Sequence, residues 1–461
     1  MASIDIFSLP QDKWTKWKYE KSPFAHFSLN ADQEGLDLLV GRDELLQKQV
    51  IPSFSTWGKI SSLNGGVGVG KTSLANVAAF ILEELANKAR NNKTSNRHIY
   101  SCFENIKYEK SHTDEDFEFS IFLAIAKKIY SIKDGNSDFS WAVLPYYEEY
   151  RHCINDPTFK DGGLSIAAIG GFDKSKSLNT HPAHGKTAFI GTIKSWLDTL
   201  FPQRNSFIIC VIDNFELMDE AEKLIEFFEK KRDTLLNQKG LKFVLCGANN
   251  SVLKLNTAWL KAFIDNTIEV PSINIANAAK IYETRTEKFA KPSSYIPINE
   301  TEFIDLANLI KVNTRDLLGE AENFCQYIDL KSIAGEPLPK SAIDKSQKYK
   351  EWIILQTNEA LKAIGKRITK NCWRILNIAS TPTMDGTFKS GDYELFNIPQ
   401  GSYSNVINTL KDLKLVEERN DEEHKKKRIY TLTPKAYYIL HASKNGDVNQ
   451  FDALEDTTPP E

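Results

Sequence analysis

The segment from Gly65 to Thr72, GGVGVGKT, constrains the fold more than any other part of the chain. Closely spaced glycines let backbone N–H groups close around the phosphates of a nucleotide. In this motif the lysine reaches the β and γ phosphates, and the next hydroxyl binds Mg²⁺. A strand pattern precedes the segment and a helical pattern follows it, as the motif requires. The sequence therefore predicts an ATP and Mg²⁺ site made by Gly65, Gly66, Val67, Gly68, Val69, Gly70, Lys71, Thr72 and Ser73.

Apolar runs separated by helical stretches predict the fold around this loop. They lie at 98–104, 206–213, 241–247 and 267–270. Near-continuous apolar sequence is typical of parallel strands that helices bury on both faces. We therefore predict an α/β fold, with a doubly wound, parallel-sheet P-loop ATPase core over residues 36–271. Residues 105–200 are long for a single crossover, so we predict an insertion there whose own fold the pattern does not define.

The rest of the 461 residues divides into an arm, a lid, a C-terminal domain and a tail. Residues 1–35 are polar with scattered aromatics, which predicts an arm that packs on another part of the protein. Amphipathic helices predict a helical lid over 272–340. A helix, turn and wing pattern predicts a winged-helix domain over 341–440, with its second helix at about 403–413. The acidic, proline-ended segment 441–461 predicts a disordered tail.

The sequence lacks the marks of a membrane or secreted protein. No stretch approaches the roughly 18 unbroken apolar residues of a membrane helix. The start of the chain has no basic segment followed by an apolar run, so we expect a cytoplasmic protein without a membrane partner. The six cysteines do not have metal-ligand spacing, and neither a zinc site nor a disulfide is predicted.

Polar residues follow two of the predicted strands. Asp213 ends FIICVID, where an acid is expected to hold Mg²⁺ and its water shell; the alternative is a capping aspartate. Hydrolysis also needs a carboxylate near the attacking water, and Glu216 is the nearest candidate base. Its alternative is an acid favoured at a helix N-terminus. Asn249 or Asn250 in CGANN is a candidate sensor of the γ-phosphate, although asparagine is also a common turn former.

The order of these parts resembles the initiator clade of AAA+ ATPases, the origin-recognition type. Val40, Gly41 and Arg42 before the first strand, the P-loop, the Asp213 strand, the GANN strand end and NTRDLL, followed by the winged-helix pattern, carry the resemblance. It implies that Val40 to Arg42 line an adenine pocket and that Arg315 contacts the γ-phosphate. Two departures from the family are the 105–200 region and Asn214, which stands where AAA+ proteins usually have glutamate. The resemblance also implies an arginine after the sensor strand that completes the site of a neighbouring subunit, but residues 251–284 contain no arginine.

Charge is distributed unevenly along the chain. Residues 340–444 contain 19 lysines and arginines and 12 acids, whereas 445–461 contain five acids and no base. A basic region in an otherwise acidic protein indicates nucleic-acid binding, and a solvated charged face is the alternative. On the second helix of the winged-helix pattern, polar residues lie away from the apolar face, and basic residues follow in the wing loop. The predicted DNA contacts are Asn405, Asn408, Lys411, Lys425, Lys426, Lys427 and Arg428.

These features predict an ATP-binding, slowly hydrolysing ATPase that binds double-stranded DNA. The alternative is a signalling ATPase switch, as in bacterial antiviral defence, whose winged helix mediates protein interaction. In either case we expect self-association or a partner ATPase or effector protein, because no nuclease, protease or deaminase motif is evident in the sequence.

Overall fold

The computed structural model describes residues 12–108, 112–135, 139, 141–155, 160–161, 164–165, 185–213, 218–247, 257, 259–311, 313–381, 383–384, 386–420 and 428–444. In that part of the chain, no helix is long and apolar enough to cross a membrane.

The described helices and strands are numbered in chain order. The helices are α1 (Lys13–Lys16), α2 (Gln33–Leu38), α3 (Asp43–Leu45), α4 (Ile51–Phe54), α5 (Lys71–Asn91), α6 (Asp114–Gly135), α7 (Tyr147–Asn155), α8 (Lys186–Leu200), α9 (Met218–Lys231), α10 (Ala278–Phe289), α11 (Glu300–Ile310), α12 (Thr314–Ile333), α13 (Ala342–Ile364), α14 (Lys370–Ala379), α15 (Gln400–Asp412) and α16 (Pro434–Lys444). The strands are β1 (Ile60–Asn64), β2 (Ile99–Ser101), β3 (Ile106–Lys107), β4 (Lys160–Asp161), β5 (Leu164–Ser165), β6 (Phe207–Asp213), β7 (Gly240–Cys246), β8 (Ile264–Glu269), β9 (Thr387–Lys389), β10 (Val416–Asn420) and β11 (Arg428–Leu432).

The chain divides into two compact units. The sheet unit comprises residues 28–66 and 70–271, and the lid unit comprises 1–27, 67–69 and 272–461. The predicted arm, 1–35, is therefore not one structural segment, because its last residues belong to the sheet unit.

A parallel sheet organises the sheet unit. Its order is β2-β6-β7-β1-β8, and β3 also pairs with β6. Every residue of β7 is buried, as is every residue of β6 except the last, Asp213. Strands buried on both faces are the reason for the unbroken apolar runs in the sequence. The predicted α/β class with a parallel sheet is confirmed.

The region 105–200 is only in part an insertion, contrary to the sequence-based prediction. Residues 106 and 107 form β3, which extends the main sheet beside β6. Helices α6 and α8 contribute Phe117, Ile121 and Trp196 to the same buried cluster as Ile208 of β6. Their apolar faces are needed to cover the sheet, so these helices belong to the crossover between β2 and β6.

The first residues of the lid unit pack against its helices. Trp14 and Trp17 meet edge to face with ring centroids 5.2 Å apart. The Trp14 indole N–H donates to Glu322 of α12 at 3.2 Å. Tyr19 forms an antiparallel bridge with Ala290, just after α10. Residues 12–27 are too few to form a core of their own, and they are buried by packing against the helices of the lid unit.

The C-terminal part of the lid unit contains an antiparallel sheet with the order β10-β11-β9. Helix α15 begins at Gln400, earlier than the predicted start near 403, because Pro399 takes the N-cap position and the helix follows at once. Helix α16 continues to Lys444 and buries Leu440 and Ala442. Residues 441–444 are consequently helical and do not belong to the predicted tail, whose remaining residues lie outside the described part of the chain.

Candidate functional site

The glycine-rich loop joins the C-terminal end of β1 to the N-terminus of α5. Gly65, Gly68 and Gly70 all have positive φ, and Gly70 takes the N-cap position with φ 93°. A side chain is strained in this left-handed conformation. Since Gly70 has no side chain to accept from the first turn of α5, those N–H groups are left for a ligand.

Lys71 is the first residue of α5 and lies over the loop. Its Nζ donates to the carbonyl oxygens of Gly66 at 2.9 Å and Gly65 at 3.2 Å. Only 6% of the residue is exposed. The positive charge is therefore held at the place where the loop would receive phosphates.

Thr72 and Asp213 bring a hydroxyl and a carboxylate together from two elements. The Thr72 hydroxyl donates to Asp213 Oδ1 at 2.7 Å, joining the first turn of α5 to the end of β6. Oxygen ligands of this kind suit Mg²⁺, which proteins usually bind through one or two side chains together with substrate phosphates. Among the described residues no group of three or more His, Cys, Asp or Glu is placed to hold a metal ion. The donor set fits a magnesium ion shared with a nucleotide.

Ser73 and Arg42 make structural contacts in the sheet unit. The Ser73 hydroxyl accepts the backbone N–H of Leu29 at 3.0 Å. The Arg42 guanidinium is buried and donates to the carbonyl of Pro271 at 2.7 Å, and burial lowers its pKa. Of its two neighbours in the predicted adenine pocket, Val40 is buried and Gly41 has φ 72°. The hydrogen bonds of Ser73 and Arg42 fix the first turn of α5 and the segment 40–42 in place. Both segments are predicted from the sequence to contact the nucleotide.

Two features beside the loop were not predicted. The Asn64 amide donates to both carboxylate oxygens of Glu269, at 2.7 and 3.0 Å, and so joins the ends of β1 and β8. Lys107 of β3 is the register partner of Asp213. The side chains of register partners project from the same face of a sheet. The Lys107 side chain is therefore on the same face as the Asp213 carboxylate. A two-residue strand has too little periodicity to be recognised in a sequence.

Several predicted residues lie outside the described part of the chain: Glu216, Asn249, Asn250, Lys425, Lys426 and Lys427. Arg315, the second residue of α12, is exposed and makes no hydrogen bond or ion pair with residues that the structure describes.

Helix α15 has the predicted two-sided character. Val406, Ile407 and Leu410 are buried, and Leu413 just after the helix is buried with them. Asn405 and Asn408 are exposed on the other side. The apolar pattern in the sequence therefore identified which face of this helix packs on the protein.

Two of the predicted DNA contacts are paired with one acid. Arg428 Nε lies 3.3 Å from Oε1 of Glu418, and Lys411 pairs with the other carboxylate oxygen of Glu418. Glu418 lies on β10, opposite Tyr430 of β11. Part of the positive charge that the sequence assigns to this surface is neutralised within the protein.

No family model matches the sequence, and no curated protein matches it either. Solved structures are similar to most of the chain at low identity. The Aeropyrum pernix ORC2 protein in ADPNP–ADP complexes is 12% identical, with 94% of this chain and 99% of that chain covered and a TM-score of 0.44. The Aeropyrum pernix ORC1 protein in complex with DNA is 14% identical, with coverages of 91% and 98% and a TM-score of 0.39. Cdc6p from Pyrobaculum aerophilum is 14% identical, with coverages of 93% and 99% and a TM-score of 0.37.

Chemically, the described residues of the loop supply a buried ammonium, backbone N–H groups at a helix N-terminus, and a paired hydroxyl and carboxylate. All of these groups favour a polyphosphate with a divalent cation over a neutral ligand. The arrangement has the parts needed to bind a nucleotide and to hold its terminal phosphates.

Proposed function

We propose that the protein binds ATP with Mg²⁺, hydrolyses it slowly, and binds double-stranded DNA in an ATP-dependent manner. The observation that carries the nucleotide proposal is the Thr72–Asp213 hydrogen bond of 2.7 Å beside the glycine loop and Lys71. A lone glycine-rich sequence is common, whereas this pairing joins a hydroxyl in the first turn of α5 to an acid at the end of β6, and it supports the assignment of both groups to Mg²⁺.

In this proposal each residue has a distinct role toward the nucleotide. When ATP binds, the Lys71 ammonium leaves the carbonyls of Gly65 and Gly66 and donates to oxygens of the β and γ phosphates. N–H groups of the loop donate to the same phosphates. Thr72 and Asp213 hold Mg²⁺, which neutralises phosphate charge when bound. Glu216 orients or deprotonates the attacking water.

Further roles rest on the sequence resemblance. Asn249 or Asn250 senses the γ-phosphate, and Arg315 contacts it from the lid. Val40, Gly41 and Arg42 line the adenine pocket, with Arg42 holding that segment through Pro271.

For DNA, we propose that the C-terminal helices and hairpin form a winged helix. Helix α15 precedes the hairpin of β10 and β11, and its exposed Asn405 and Asn408 are suited to pair with adenine edges in the major groove. The wing-loop residues Lys425, Lys426 and Lys427 contact phosphates. The basic excess of residues 340–444 supports this assignment.

A second candidate function is an ATP-controlled switch whose winged helix binds a protein. The observation that favours it is the pairing of both Lys411 and Arg428 with Glu418, which removes two cations from the proposed DNA surface. A surface with balanced charges is suited to a protein partner, whether a second copy or an effector.

The test is a titration of the full chain with a labelled duplex, with and without ATP and Mg²⁺, at two salt concentrations. We expect ATP to change the affinity and salt to weaken it. The Lys71→Ala variant is the control, and it should lose the ATP effect while keeping the salt effect. Binding that is absent at both salt concentrations would contradict the DNA proposal and favour the interaction switch.

A further inference from the structure

Basic residues are also concentrated outside the wing loop. Residues 362–384 contain five lysines and arginines and no acid, and α16 adds Lys435 and Lys444, again without an acid. We use the name basic corner for three of the residues in and around these segments: Arg367, Lys414 and Lys435. They follow α13, follow α15 and begin α16, respectively.

Hydrogen bonds fix the position of two members of the basic corner. Lys435 Nζ donates to the carbonyl of Leu413 at 2.8 Å, at the C-terminal end of α15. The Thr433 hydroxyl donates to the carbonyl of Lys414 at 2.9 Å. The start of α16 is thereby held against the end of α15, and the Lys414 side chain is exposed beside it.

The electrostatic neighbours of Lys435 are both cations. Burial lowers the pKa of Lys435, and the positive charges of Lys414 and Arg367 lower it further. No carboxylate acts on it in the part of the chain that the structure describes. Arg367 is exposed, and its guanidinium donates to the carbonyl of Ala363 at 2.9 Å; no acid pairs with it among the residues that the structure describes.

This surface contrasts with the one that carries Glu418. There, one carboxylate pairs with two cations, whereas in the basic corner Lys414 and Arg367 both repel Lys435. Repulsion between like charges destabilises the folded protein, and a bound polyanion relieves it. Backbone phosphates attract such a cluster without reading bases.

We propose that the basic corner contacts the phosphate backbone of double-stranded DNA. The inference rests on the proposed DNA-binding function and adds a second contact to the wing loop. Arg367 and Lys414 make the phosphate contacts because they are exposed, and Lys435 adds positive potential while holding α15. A contact of this kind sets the position of the duplex and contributes affinity for any sequence.

The test uses the full chain with Arg367→Ala and Lys414→Ala combined, and leaves Lys435 in place to preserve its hydrogen bond. Two lost phosphate contacts should flatten the slope of log affinity against log salt by about 1.8. At 0.1 M salt the affinity should fall by roughly 10- to 100-fold. A charge-keeping variant, Arg367→Lys with Lys414→Arg, should retain most of the binding.

The matched control is Lys291→Ala with Lys350→Ala, which removes two exposed lysines from the same unit. If the corner variant binds like this control while the wild-type chain binds duplex, the inference is wrong and the proposed function stands. If only the triple variant of Lys425, Lys426 and Lys427 loses affinity, the wing alone contacts phosphates and the inference is again wrong. If the wild-type chain binds no duplex, both proposals fail.

Discussion

Arg428 and Glu418 form an ion pair across the C-terminal hairpin, with 3.3 Å between Nε and Oε1. The same carboxylate pairs with Lys411 of α15. Pairs this exposed contribute little to stability, so their main effect is on the charge that the surface presents. Glu418 therefore sets how much positive charge this surface presents.

The first prediction follows from this pair. Glu418→Gln should release Lys411 and Arg428 and raise the affinity for duplex DNA, steepening the salt slope by up to about 1.8. Filter binding at four salt concentrations measures both quantities. Glu417→Gln is the matched control, because it removes one neighbouring exposed charge and leaves the pairing intact. Equal behaviour of the two variants would favour a protein-interaction role for the winged helix.

The second prediction concerns nucleotide binding. Lys71→Ala should abolish the binding of a labelled ATP analogue, since the positive charge over the loop is lost. Equilibrium dialysis measures it directly. Lys88→Ala, near the other end of the same helix, should bind normally. Retained affinity in Lys71→Ala would mean that the loop is not the phosphate site.

The third prediction assigns the base. Glu216→Gln should bind ATP as the wild type does and reduce turnover by about 10²- to 10⁴-fold, because a general base contributes that much. Separate measurements of nucleotide binding and phosphate release distinguish the two effects. Full turnover in this variant would place the base elsewhere.

The fourth prediction is slow intrinsic hydrolysis. Residues 251–284 contain no arginine, and the next one, Arg285, is buried and donates to the carbonyls of Pro23 and Ala25. It is thus unavailable to complete a neighbouring site. We expect turnover on the order of 10⁻² s⁻¹ or slower. Brisk turnover that does not change with protein concentration would contradict this expectation.

The fifth prediction concerns the stability of the sheet unit. Glu118 of α6 is 4% exposed and pairs with Lys194 at 2.9 Å and Lys231 at 2.8 Å. Burial raises the pKa of Glu118, but the hydrogen bonds from Lys231 and Lys194 outweigh it, and the net pKa is lowered. Glu118→Gln should reduce the free energy of unfolding by about 2 to 4 kcal/mol, since two partly buried lysines lose their partner.

Urea unfolding at several pH values tests this prediction. A carboxyl group with a lowered folded-state pKa stabilises the protein above its unfolded-state pKa, and the contribution is lost as the pH falls through the folded-state pKa. The difference between wild type and Glu118→Gln should therefore be largest near pH 7 and shrink in acid. Glu226→Gln, at an exposed position on α9, is the control and should change little. A constant difference at every pH would show that Glu118 does not act through its charge.

The sequence predicted the strands well because their chemistry is local. A strand buried on both faces is largely apolar. The apolar run of β6 ends where burial ends, at Asp213, and β7 departs from the pattern only at the buried Lys242, whose Nζ donates to the carbonyls of Ser53 and Thr56. The two-residue β3 leaves no such pattern, and its place in the sheet is set by contacts with β6. The sequence therefore predicts an insertion in a region where the structure has a strand of the main sheet and helices that cover it.

The sequence indicates which residues form the glycine loop, but it does not indicate which side chains contact one another. The spacing of Gly65 to Thr72 indicates the loop, because the motif fixes residue types at short range. The pairing of Thr72 with Asp213 joins residues 141 positions apart. The neutralisation of Arg428 by Glu418 depends on the hairpin register. Contacts of this kind depend on tertiary structure, which local patterns do not contain.

The contact between Trp14 and Glu322 has a consequence for how the protein is made. The two residues are 308 positions apart, and all residues of the sheet unit lie between them. At about 5 to 20 residues per second, the ribosome needs roughly 15 to 60 s to reach the partner of this tryptophan. During that time the nascent chain carries Trp14 without Glu322, and for most of it Trp17 without its ring contact Tyr295, while the sheet unit is synthesised completely. Trp14 therefore reaches its native environment only after the whole sheet unit has been synthesised.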